Sequence, residues 1–233
     1  MFRTAISILI LSIFSLFSCD DGKIYDQKET VPAEGSCLRL SAKIMGIDQW
    51  PSKYSVVVAG FSENDYATIS KGITGTAADG SVEVVLGGIP ETVSRVEICV
   101  INRLRERIVS FYSTDFEPQR DTVVLEAGTI DAGMFNSIQA EVFDRSCTGC
   151  HGESTEAAAG LHLTAGKSYG QLVGKKADLS EEELSLVEPG DAGNSFLMTV
   201  LREDIVRFNH TDIITSYELL DMIEDWIDNG AKE

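Results

Sequence analysis

Two architectures in tandem are predicted by this sequence: an all-β sandwich over residues 36–130 and an all-α domain over residues 131–233. The first rests on strict alternation of apolar and polar residues in short runs separated by turn signals. The second rests on a change after "GTIDAG", where apolar residues begin to recur at helical spacing. A third observation points to chemistry in the second part. "RSCTGCHGES" (145–154) crowds Cys147, Cys150 and His151 into five positions of a chain with five cysteines and three histidines.

Residues 1–18 read as an export signal: Arg3 precedes an apolar stretch from Ala5 to Phe17, which is shorter than the ~20 residues a membrane span needs. The ending "LFSC" resembles the lipobox of bacterial lipoproteins, which implies cleavage before Cys19 and a lipid on that cysteine; Phe17 departs from the small residue usual there. The alternative is an ordinary secretory signal cut nearby. Either way the chain is expected to leave the cytoplasm; with Cys19 lipidated, it is expected in the cell envelope, anchored to a bacterial membrane and facing the periplasm or the cell surface. Residues 19–35 are polar and lack a hydrophobic period, so they are expected to form a tether.

The strand signals follow in order. "CLRLSAKIMG" sets Leu38, Leu40, Ala42 and Ile44 against Arg39, Ser41 and Lys43. "YSVVVAGF", "SVEVVLGGIP", "VSRVEICVINR", "RIVSFYS" and "DTVVLEAG" repeat the alternation, and turns such as "AADG" and "GGIP" divide them. Six or seven short strands at this spacing predict a sandwich of immunoglobulin-like or transthyretin-like character. This part contains no histidine and no cluster of residues suited to catalysis.

Beyond residue 131, "MFNSIQAEVFDRS" places Phe135, Ile138 and Val142 on one helical face with Phe143 beside them. "TSYELLDMIEDWIDNGAKE" does the same with Leu219, Met222, Ile223, Trp226 and Ile227; Thr215 and Glu218 form a predicted capping box, and Gly230 closes the helix. "PGDAGNSFLMTVL" reads as a turn feeding a helix, with Asp191 as its cap. The net charge of the chain is −18, and residues 131–233 hold 20 acidic against 7 basic side chains. That balance argues against nucleic acid and favours a basic partner or an uncharged one. The second part is also poor in large apolar residues, so a small all-α domain would need something extra in its core.

Three chemistries use two thiols and an imidazole. Structural zinc wants four ligands, but no second C-x-x-C exists and His162 and His210 stand alone. A redox dithiol wants a strand before the motif and a helix after it, whereas here a helix precedes it. Covalent haem wants this adjacency: two residues between the sulfurs let both reach the porphyrin edge, and the next residue turns under the ring as the proximal ligand.

The motif, with "AGLHLTAGKSYGQLVG", "VEPGDAGNSFLMTVL" and "LLDMIEDWIDNGA", resembles the cytochrome c-like domains of bacterial, especially planctomycete-type, surface and periplasmic proteins, over about residues 131–233. The resemblance implies one covalent haem c, with Cys147 and Cys150 holding the ring and His151 the iron. It also implies that the first and last helices cross, with Phe143 near Ile223, Trp226 and Ile227. Where such domains place a methionine before the last helix, this chain has "LREDIVRFNHTDIITS". His210 is therefore a candidate distal ligand; Met198, Met222 or an open position are the alternatives. His162 is expected near the haem rim. Cys37 and Cys99 remain, both reading as outward-facing, and export permits a disulfide between them; two unrelated thiols are the alternative. The function expected is outer-sphere electron transfer by a membrane-anchored monohaem c-type cytochrome lipoprotein with a redox protein partner, and no enzyme activity. The alternative is a ligand-binding or adhesion lipoprotein whose sandwich does the work.

Overall fold

The structure, a computed structural model, describes residues 35–233; the expected export signal, the lipidation site Cys19 and the tether up to residue 34 lie outside the described residues. Seven strands form two sheets. β1 (Ser36–Met45) lies between β4 (Ser81–Ile89) and β7 (Thr122–Asp131), antiparallel to the first and parallel to the second. The other sheet has the order β3-β2-β5-β6, built from β2 (Tyr54–Phe61), β3 (Ile69–Gly72), β5 (Arg95–Asn102) and β6 (Arg107–Asp115), all pairs antiparallel. The alternation decides which side faces in. Leu38, Leu40 and Ile44 of β1 join Val56, Val58, Val96, Ile98 and Val100 of the opposite sheet in one buried cluster.

The second half corrects the predicted fold class. The described chain is mostly β, with four short helices and 24% helix, and no all-α cytochrome domain is evident in it. The helices are α1 (Met134–Ile138), α2 (Ser168–Leu172), α3 (Phe196–Arg202) and α4 (Tyr217–Asp228). Turns, short 3-10 segments and isolated bridges such as Val173 to Val187 fill the space between them. The physical reason is the shortage of apolar residues already visible in the sequence. Helices as short as α2 and α3, of five and seven residues, cannot bury a face on their own. They share one core with the sandwich: the cluster holding Leu38 and Ile98 also takes in Phe135, Phe143, Leu172, Leu201, Met222, Trp226 and Ala231. The described residues, 35–233, belong to one compact unit.

The connection between β1 and β2 makes the joint. Trp50 donates its indole N–H to the carbonyl of Ala132 at 2.6 Å, and the Gln49 side-chain oxygen accepts from the Met134 amide at 3.0 Å. Tyr54 donates to Asp225 on α4 at 2.7 Å, and Lys53 pairs with the same carboxylate. Gly46 sits at φ 77°, and a Cβ there would lie 2.5 Å from the Gly133 nitrogen. The two backbones can touch because Gly46 has no side chain.

Local details differ from the sequence reading by small shifts. α4 is capped by Ser216, whose hydroxyl accepts from the Leu219 amide, rather than by Thr215; Glu218 accepts from that same hydroxyl. Asp191 caps the 3-10 turn Ala192–Asn194 just ahead of α3. Phe135, not Phe143, meets Trp226, at 5.1 Å between ring centroids, and Phe143 stands behind it at 6.3 Å from Phe135. Cys37 and Cys99 are free thiols, both buried and on different sheets, so the structure contains no disulfide between them. Cys99 does face away from the main core. The outer face of its sheet is itself covered, however, and the thiol packs with Val57, Ala59, Phe61, Ala67 and Ile101.

The Gly46–Gly133 contact gives a direct test of the joint. Gly46→Ala adds left-handed strain and a backbone clash, an expected cost of about 2–4 kcal/mol. Thermal unfolding followed by circular dichroism should show a fall in midpoint of roughly 5–15 °C. An unchanged midpoint would mean that the joint tolerates separation.

Candidate functional site

α1 does not stop at Ile138. It runs on as a π-helix over Gln139–Cys147, in which Thr148 donates its amide to the Phe143 carbonyl five residues back, at 3.0 Å. A π-helix is rare, and its wider turn lets the neighbours Val142 and Phe143 both bury. The segment is braced by Gln139, a buried amide at a core-facing position. It donates to Asp144 at 2.6 Å and to the Leu163 carbonyl at 2.9 Å, and accepts from the Ser168 hydroxyl at 2.5 Å. Sequence reasoning passed over Gln139. The signal was there, a polar residue four positions after Phe135 in an apolar stripe.

The π-helix ends at Cys147, and the motif turns tightly from that point. The amides of Cys150 and His151 both donate to the Cys147 carbonyl, at 3.1 and 2.9 Å. The Ala158 amide donates to the Cys150 carbonyl and the Leu163 amide to that of His151, so residues 158–163 are laced to the motif. Gly152 is required at this place, because a Cβ would come within 2.6 Å of the Thr148 carbonyl oxygen. The result is graded exposure: Cys150 is exposed, Cys147 is half-buried against the core, and His151 is half-buried.

The electrostatics separate the three chemistries further. Burial pushes the Cys147 thiol up to about 11, and the neighbouring Cys150 adds to the effect. An activated redox dithiol needs the opposite, a thiol lowered toward neutrality. Burial also pulls His151 below the usual imidazole range, and His210 pulls in the same direction, while the carbonyls of Leu161 and Ala158 oppose them. A neutral imidazole is the form that binds a metal. Among the described residues no three His, Cys, Asp or Glu side chains converge as a metal-holding group, so the arrangement lacks the four-donor clamp of a structural zinc.

His210 comes from the loop between α3 and α4, and the fold brings it to His151, with ring centroids 6.3 Å apart and planes tilted by 36°. Each ring donates Nδ1–H to a backbone carbonyl: His151 to Leu161 at 3.3 Å and His210 to Phe208 at 2.7 Å. Met198 and Met222 are 2% and 0% exposed and belong to the core. His162 is half-buried, donates from Nδ1 to the Gly152 carbonyl at 2.5 Å, and receives no ring contact. A cavity of about 790 Å³ lies elsewhere, lined by Ile44, Tyr54, Ile73, Asp79 and their neighbours in the sandwich.

No protein-family model matches the chain, and neither a curated protein nor a solved structure does.

The exposure gradient makes a prediction for the protein before any modification. Iodoacetamide at pH 8 is expected to alkylate Cys150 first, Cys147 at least several-fold more slowly, and Cys37 and Cys99 only after unfolding. Peptide mapping by mass spectrometry at timed intervals reads the order. Equal rates for Cys147 and Cys150 would contradict the half-buried position of Cys147.

Proposed function

We propose that this chain is a c-type haem protein of the bacterial cell envelope, lipid-anchored at Cys19, that carries one covalent haem and passes single electrons between redox proteins. The observation that carries the proposal is the turn at 147–151. It offers one exposed and one half-buried thiol beside a half-buried imidazole whose Nδ1 is fixed on a carbonyl. That donor set suits the group. Each thiol would add across a porphyrin vinyl group, sulfur to one carbon and the thiol hydrogen to the other, giving two thioethers with no leaving group. Fixing Nδ1 on a carbonyl leaves the opposite nitrogen, Nε2, free, and it would hold the iron. Once bound, the iron would alternate between its ferric and ferrous states, taking one electron from a reduced donor and giving one to an acceptor. His151 would hold it, Gly152 lets the turn close against the Thr148 carbonyl, and Gln139 ties the π-helix to Leu163 and Ser168. With a net charge of −18, the chain suits a basic redox partner. The scaffold is the set of short helices that share the sandwich core, not an all-α cytochrome domain.

A second reading, a ligand-binding or adhesion lipoprotein, is favoured by the 790 Å³ cavity in the sandwich. Expression with c-type maturation machinery, followed by a pyridine haemochrome assay and denaturing electrophoresis with haem staining, separates the two. The wild type is expected to hold one haem that survives denaturation, and the Cys147→Ala, Cys150→Ala double variant none. Wild-type protein without covalent haem would remove the proposal and leave the cavity as the site to pursue.

A further inference from the structure

Resting on that reading, we infer that the iron site is closed on both sides by imidazole, with His151 on one face and His210 on the other. Three independent features of the structure lead there. The first is distance. Two imidazoles bonded to one metal through nitrogens at ~2.0–2.1 Å have ring centres roughly 6–6.5 Å apart once the ring radii are added. The observed separation is 6.3 Å.

The second is orientation. Both rings are anchored through the same atom to a main-chain carbonyl, Leu161 for His151 and Phe208 for His210. Metal-ligating histidines characteristically donate their other N–H in this way, which fixes the tautomer and leaves Nε2 for the metal. The Phe208 carbonyl is two residues from His210, so the loop supplies the anchor locally.

The third is the surface around His210. Ile205, Phe208 and Ile213 are 49%, 67% and 39% exposed, three large apolar side chains within nine residues. Isolated exposed apolar residues are ordinary, but a run of them beside a polar ligand marks a surface that something covers. A flat apolar macrocycle between the two histidines is an occupant of suitable chemistry. Cys147 and Cys150 would hold it covalently.

The consequence is functional. Imidazole on both faces leaves no coordination position for oxygen, peroxide or carbon monoxide, and restricts the site to electron transfer. Replacing the thioether usual at the distal face by imidazole also lowers the potential.

The test uses the mature protein and a haem-free arm. In wild-type protein with covalent haem, the ferric spectrum and electron paramagnetic resonance are expected to be low-spin, and the ferrous form is expected to resist carbon monoxide. His210→Ala should keep the same haemochrome yield, become high-spin, bind carbon monoxide stoichiometrically, and return to low spin with added imidazole. His210→Met should stay six-coordinate with a raised potential. A His210→Ala spectrum identical to wild type overturns the inference while leaving covalent haem intact. Independently, the Cys147→Ala, Cys150→Ala variant is titrated with haemin. Low-spin binding that requires both His151 and His210 supports the paired ligands even if covalent attachment fails, and high-spin binding or none overturns them.

Discussion

Trp50 fills the seam where the β1–β2 connection meets the start of the helices, and its indole N–H is committed to the Ala132 carbonyl within that seam. Much else depends on this contact. It fixes where β7 ends and α1 begins, and α1 in turn sets the register of the π-helix that delivers Cys147. Tyr54, edge-on to Trp50 at 5.4 Å, carries the constraint to α4 through Asp225. Burial of the phenol and its acidic partners raise the Tyr54 pKa, so its hydroxyl stays a donor to that carboxylate. The segment after position 131, with few large apolar residues, gains order in this way from strands that it does not itself contain.

Polar bracing does for the motif what apolar packing does for the joint. Gln139, Ser168 and the Leu163 carbonyl form a satisfied buried network, and removing one member would leave the others without partners in a dry environment. The π-helix and this network solve one problem together. An α-helix would carry Cys147 past the 158–163 segment at a different angle, and the amide bonds from Ala158 and Leu163 to the motif would not close.

The strands were legible because a period of two is visible in any six residues. "CLRLSAKIMG" names its own buried face, and the fold uses Leu38, Leu40 and Ile44 as the alternation indicates. Helical spacing named the right buried residues after position 131 but not the right architecture. Phe135, Ile138 and Val142 look the same whether they pack on other helices or on a sheet. The capping hydroxyl was misplaced by one because Thr215 and Ser216 are adjacent and chemically equivalent. Cys99 was given its correct face but the wrong exposure, since nothing local reveals that Ala67 and Phe61 cover the outer side of the sheet. His210 was singled out by its place before the last helix; its distance from His151 and the carbonyl behind it arise only when the loop folds back.

The unbroken core has one more consequence, for how this protein can be inherited. Proteins assembled from separable modules can lose, gain or exchange a piece at a linker, and each piece keeps its fold. Here the boundary between strands and helices at residues 131–134 is a crease inside a single hydrophobic body. A recombination event at that crease would strand apolar faces on both sides. The sandwich and the motif must therefore be carried, varied and discarded together, and a substitution in β1 is also a change to the ground on which the histidines stand.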